Sequence, residues 1–334
     1  MTWLSLGSLA LPFQLQRHGV ALRGDIARLG VEVVTGLSSA PQRRLGGDLA
    51  SLAMIESRLS RLDRYAETAR AALAATGTAQ TALTRLAQVG SDTSAGMLAA
   101  SASGTSDTVL SAGRAARAAF GDAVGVLGAR IAGRSLFSGA ASDRAPLPSA
   151  ESILGQLSPM LAGLSTADEV VSAIGAAFHD PGGLFNTVFY QGADTTAGAM
   201  IDDGEQAAVL PTAADPSIRR LLAGLATSAF VADPGLALAT GQRAALARRA
   251  AEDLMGAAPG VTALQAGLGD AEARLDTRVI RLTGERDALN LARQTLIAVD
   301  PYEAATQLEQ AQTQLQTLYA VTARTARLSL TGYL

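Results

Sequence analysis

The sequence predicts a mainly α protein. Its N- and C-terminal segments form a long antiparallel helical rod or coiled coil, and a small α+β insertion interrupts it. Three observations carry that expectation. Leu268, Leu275, Leu282, Leu289 and Leu296 recur at a strict seven-residue period, the repeat of a helical seam. The composition is 48% hydrophobic but only 4% aromatic, so Ala and Leu supply the apolar surface and helices can pack closely through small side chains. Pro146, Pro148, Pro159, Pro181 and Pro211 crowd into the middle of the chain, where Gly182-Gly183 adds a further break.

The N-terminal half supports matching stripes. Pro12 suits the first turn of a helix, and Leu15, Leu22, Ile26, Leu29 and Val33 follow at gaps of three, four or seven residues. Gly36, Pro41 and Gly46-Gly47 end that run. A second run, from about residue 45 to 90, carries Leu52, Leu59 and Leu73 in one heptad position and spans about 65 Å at a helical rise of 1.5 Å per residue. Gly90-Ser91-Asp92 and the Ser101–Thr105 segment then bracket a short, weaker helix. Another is expected from about Asp107 to Arg134.

Between residues 140 and 212 the pattern changes to short pieces. Asn186–Gln191 is the best strand candidate, with a weaker one near Ala208–Leu210. Helical patterning returns at 217–231 and 236–255, and a long helix begins near Val261, after Pro259-Gly260. Asp300-Pro301-Tyr302-Glu303 restarts the last helix: Asp300 caps, Pro301 fits the first turn, and Glu303 sits where a capping box needs it. That helix carries Leu308, Leu315, Leu318 and Leu328. The expected organisation is therefore a terminal assembly domain of 1–42 and 298–334, a helical bundle of 43–140 and 213–297, and an inserted, surface-exposed α+β domain of 141–212.

Several chemistries are poorly served. With no Cys, thiolate metal sites, disulfides and Cys nucleophiles are excluded. A net charge of −3 gives nucleic acid no electrostatic footprint. His18 and His179 are the only histidines, and neither has further ligands at helical or hairpin spacing, so no metal or cofactor is expected. Asp202-Asp203-Gly204-Glu205 lacks the alternating acids of a Ca²⁺ loop and reads as a turn. No nucleophile elbow or catalytic Ser/His/Asp grouping is visible, and an enzyme is not expected. No apolar stretch reaches membrane-spanning length, and the first residues lack the basic start of a cleaved secretory signal.

Specific wording lies at both ends. The C-terminal segment has Asp300, Glu303-Ala304-Ala305-Thr306, Leu308, Leu315-Gln316, Tyr319, and Leu328-Ser329-Leu330 with Leu334. Ser135-Leu136-Phe137-Ser138-Gly139 follows the first half, and Thr35-Gly36 closes the first helix. On these residues the chain resembles the bacterial flagellin family, and within it the branch that joins the flagellar hook to the filament. The resemblance covers about 15–140 and 260–334. Residues 37–48 depart from the family in keeping a single acid, Asp48, before the second helix.

The resemblance implies an extracellular structural protein of the flagellum, exported through the type III channel without a cleaved signal peptide and added as a ring of subunits. Its partners would be copies of itself, the preceding hook-associated protein, flagellin, and an export chaperone at the C-terminal helix. It also implies that the outermost stripes (Leu15, Leu22, Ile26, Leu29, Val33, Leu308, Leu315, Leu318 and Leu328) form the assembly interface and order on assembly. Leu52, Leu59, Leu73, Leu268, Leu275, Leu282, Leu289 and Leu296 would form a seam inside the subunit. The competing readings are a filament-forming flagellin and a coiled-coil scaffold unrelated to the flagellum.

Overall fold

The computed structural model describes residues 7–193, 198–207 and 210–331, with the side chains of 7–12 and 325–331 outside that description. Long helices dominate, joined by two small antiparallel hairpins, so the chain is mainly α as the heptads predict. It divides into two compact units, one of residues 1–63 with 283–334 and one of residues 64–282. The division falls inside two long helices, α3 (Ala50–Ser103) and α8 (Thr240–Ile297).

The first unit contains α1 (Gly7–Thr35), the short α2 (Pro41–Arg44), the start of α3, the end of α8, and α9 (Pro301–Thr331). Here α3 and α8 run antiparallel: Arg58 pairs with Glu285 at 2.8 Å, and Arg293 with Glu56 at 3.4 Å. In the second unit the same two helices meet through a hydrogen bond from Gln265 Nε2 to Thr84 Oγ1 at 3.0 Å. Of the expected intramolecular seam, Leu52, Leu268, Leu275 and Leu282 are buried, whereas Leu59, Leu73, Leu289 and Leu296 are half-buried.

The core of the second unit forms around α7 (Pro216–Phe230). Leu221 to Phe230 are all buried, and a helix that is buried on every side must find partners on every side. Asp215 caps it by accepting from the Ser217 N–H at 2.8 Å, and Pro216 occupies the first turn, where no N–H is needed. The hydroxyls of Thr227 and Ser228 donate back to Ala223 O and Gly224 O, so their burial leaves no polar atom unsatisfied. Around α7 pack α4 (Ser106–Leu127) and α6 (Ala167–His179), with α5 (Ala150–Leu161) against α4 and α6. Residues 141–212, expected as a separate insertion, contribute Ile153, Leu157, Ile174 and Phe178 to one cluster with Leu83, Phe120 and Leu225. The amphipathic faces of α5 and α6 are what turn them toward that shared core.

Besides the start of α1, which comes at Gly7 and so places Pro12 beyond the first turn, four local expectations are corrected. The helix α3 continues through Gly90-Ser91-Asp92, where a break had been expected. A Cβ on Gly90 would lie 2.6 Å from Leu221 Cδ1, so the glycine lets α3 approach α7 closely rather than ending the helix. Likewise α8 continues through Pro259, whose ring faces solvent and forfeits only its own hydrogen bond. The helix expected to reach Arg134 ends at Leu127, and the hairpin of β1 (Arg130–Ile131) and β2 (Arg134–Ser135) follows. Its turn places Ala132 at φ 48° and Gly133 at φ 79°, the positive pair that a tight two-residue hairpin turn demands.

The fourth correction is the strand expected at Asn186–Gln191, which is a π-helical turn over Phe185–Phe189. It buries Phe185 and Phe189 together against Phe178, at ring-centroid distances of 5.7 and 6.0 Å, while Val188 faces solvent. Aromatic packing at a four-residue spacing thus overrides the β-branched preference of Thr187 and Val188. The weaker strand candidate near Ala208–Leu210 falls largely outside the described residues.

The Ser135–Gly139 motif is a tie-point. Phe137 and Ser138 are fully buried. Ser138 Oγ donates to Arg144 O at 2.8 Å, and the carbonyls of Phe137 and Ser138 accept from Ala213 N and Ala193 N at 2.9 and 3.0 Å. Two glycines on α4 test the packing argument. A Cβ on Gly113 would lie 2.6 Å from the backbone nitrogen of Ala232, whereas one on Gly121 meets nothing within 4 Å. Chemical denaturation should show Gly121→Ala stabilising by about 0.5–1 kcal/mol through helix propensity. Gly113→Ala, with the same propensity gain, should instead destabilise by about 1–3 kcal/mol through overpacking.

Candidate assembly interface

The chain ends meet in the first unit. Val299 N donates to Gly36 O at 2.9 Å and Ser38 N to Ile297 O at 2.8 Å, forming a short antiparallel backbone bridge between Leu37 and Ala298. From that closure α1 and α9 run side by side. Farther along, Arg23 donates to Tyr319 Oη at 2.9 Å from Nε and 2.6 Å from Nη2, with its guanidinium 5.7 Å from the ring centre. A Cβ on Gly19 would lie 3.2 Å from Leu318 Cδ2, so the small residue admits the bulky one.

A carboxylate organises the turn at the closure. Glu32 is buried and accepts from Arg28 Nη1 at 3.1 Å and from the Ser39 N–H at 2.9 Å. Asp25 takes a second Arg28 nitrogen at 3.1 Å. Glu32 therefore holds residues 36–39 in the path that lets them pair with 297–299.

The helix α1 has two apolar faces. At about 100° per residue, Leu15, Leu22, Ile26, Leu29 and Val33 share one side. Leu22 and Leu29 are 6% and 4% exposed, and Leu15, Ile26 and Val33 are half-buried. On α9 the buried positions are Ala304 and Ala311, with Leu308, Leu315 and Leu318 half-buried. The side chain of Leu328 lies outside the described residues. Leu22 and Leu29 are thus covered within the chain itself.

The opposite side of α1 carries Phe13, Val20, Ala27 and Val34 at a seven-residue period, with Val31 in line with Phe13. These stand open: Phe13 is 66% exposed, Val20 63%, Val31 52% and Val34 85%. Sequence reading stopped at the first stripe and missed the second, although its heptad spacing was there to see. Val is a weak seam residue and the Leu row drew the eye. By contrast α9 turns Thr306, Glu309, Thr313, Gln316 and Thr317 outward, a polar surface apart from exposed Tyr302, Tyr319 and Val321.

Nothing at the other singled-out residues builds a reactive centre. His18 is exposed on α1. His179 ends α6, where burial first, and then Arg219 and Arg220, pull its imidazole below the usual value. Among the described residues no group of three or more His, Asp or Glu could hold a metal ion, and no helix is long and apolar enough to cross a membrane. Asp203 and Gly204 form a hairpin turn, with Gly204 at φ 80°.

Residues 253–334 match the family described as the bacterial flagellin C-terminal helical region. The match takes in the end of α8, the closure at 297–299 and all of α9. Among curated proteins nothing matches the chain.

The two faces of α1 should separate cleanly in stability measurements. Leu29→Ala should destabilise the first unit by about 2–4 kcal/mol, as expected for a buried Leu. Val34→Asp, at an open position, should stay within about 0.5 kcal/mol of the unaltered protein. Urea denaturation followed by circular dichroism would check both.

Proposed function

We propose that this chain is a structural protein of the flagellin family that joins the flagellar hook to the filament, assembling as a ring through its first unit. The observation that carries the assembly reading is the bifacial α1. One stripe closes against α9 in the single chain, and a second stripe of Phe13, Val20, Ala27, Val31 and Val34 is left open. A contiguous apolar row that the chain does not cover itself is what helix-on-helix association uses. The match of residues 253–334 to the bacterial flagellin C-terminal helical region supports the family and flagellar parts of this reading.

In this reading the seam of Leu15, Leu22, Ile26, Leu29, Val33, Leu308, Leu315 and Leu318 has an indirect part in assembly. It builds the two-helix element, whose outer side then meets a neighbouring copy, the preceding hook-associated protein or flagellin. The polar outer face of α9 suits a wetter contact or an export chaperone. Such a protein works extracellularly and as a structural part, without catalysis. Partners that arrive one after another can be distinguished because α1 and α9 present faces of opposite character. A filament-forming flagellin would use the same seam and the same stripe, so the discriminating property is whether the protein polymerises without limit.

Electron microscopy of a deletion strain tests the junction role. Completed but bare hooks, with flagellin shed into the medium, are expected. Normal filaments on the deletion strain would overturn the reading, and long filaments formed by the purified protein alone would assign it to the filament instead. Complementing the strain with Val20→Asp/Val34→Asp should fail to restore filaments, although the purified variant unfolds at the same denaturant midpoint as the unaltered protein.

A further inference from the structure

The hairpin of β3 (Met200–Asp202) and β4 (Glu205–Gln206) is held to the second unit in an unusual way. Among the described residues, the backbone hydrogen bond it makes outside the strand pairing, Ala207 N to Ala199 O at 2.8 Å, stays within the same segment. Among the described residues no backbone hydrogen bond connects 198–207 to another element. Strands of three and two residues do not make a hairpin stable by itself. Among the described residues its contacts with the helices are made by side chains.

Those side chains are acids facing arginines. Asp202 is buried and accepts from Arg278 Nη1 at 2.6 Å and from Arg281 Nη2, both on α8. Glu205 pairs with the other terminal nitrogen of Arg278. On the far side of the turn, Asp203 Oδ1 accepts from Tyr65 Oη on α3 at 2.8 Å. Arg278 is itself largely buried by the contact, so one guanidinium bridges both strands. Ile201 of β3 and Ala271 and Leu275 of α8 are all buried and line a shared cavity of about 220 Å³.

We propose that the β3–β4 hairpin is an ion-latched strap over α8, which lifts as a unit when the Asp202–Arg278–Arg281 clamp is broken and uncovers the apolar strip of Ala271 and Leu275. The second unit then has two surface states that differ at one place, while its helical core is unchanged. Charge, rather than backbone pairing, selects between them. The acids of the turn that the sequence places at 202–205 are engaged by the protein's own arginines and Tyr65.

Hydrogen exchange on the full chain tests this. Raising ionic strength from about 0.01 M to about 1 M shortens the screening length from about 30 Å to about 3 Å. The amides of Ala207 and of β3 and β4 should then exchange roughly tenfold faster, while those of α8 around Ala271 to Arg281 keep their protection. Asp202→Asn at low salt should reproduce the effect with an unchanged midpoint of global unfolding, and Arg278→Lys should restore most of the protection that Arg278→Gln loses. Hairpin amides indifferent to salt would overturn the proposal. So would protection that disappears from hairpin and helix together, because the contact would then be an ordinary part of the core. The salt series uses the unaltered protein, so the test stands even if a variant fails to fold.

Discussion

Two backbone hydrogen bonds, Val299 N to Gly36 O and Ser38 N to Ile297 O, fix the register on which the first unit depends. They join the end of α1 to the start of α9 and so decide which residue faces which along the whole pair. A helix interface tolerates only a few registers, because a shift of one residue turns the stripe by about 100°. With the closure in place, Gly19 meets Leu318 and Arg23 meets Tyr319. Glu32 stands behind this arrangement: a buried carboxylate left without Arg28 and the Ser39 N–H would be strongly unfavourable, so the turn and its ion pair form together or not at all.

The architecture was legible wherever one periodic face decides burial. Leu52, Leu268, Leu275 and Leu282 sit on heptad rows and are buried, because a periodic apolar row is unfavourable in water. The ends of elements were less legible. Gly90 and Pro259 look like breaks, yet a breaker costs a helix only about 1–3 kcal/mol, and packing across long helices outweighs that. The Phe185–Phe189 turn reads locally as a strand because its neighbours are β-branched. Its π-helical form comes from Phe178, seven residues before it, and no local pattern carries that information.

The candidate interface was legible in half. The Leu stripes announced that the chain ends are seams, but the sequence could not say whether a neighbour or the chain itself covers them. In the single chain Leu22 and Leu29 are buried, and the Val-rich side of α1 stands open. The Asp202–Glu205 acids show a similar shift: their partners Arg278 and Arg281 lie more than seventy residues away. Long-range pairing of that kind leaves no local trace.

The antiparallel closure has a consequence for how the protein tolerates shortening. Because α1 and α9 are pinned at 36–38 and 297–299, loss of a described stretch of α1 far from that closure strands its counterpart on α9. Removing the chain up to Gly19 would leave Leu318 facing water with its own backbone intact. Damage to α1 at Gly19 therefore registers on α9 as well. Gly19 and Leu318, almost three hundred residues apart in sequence, share a single fate.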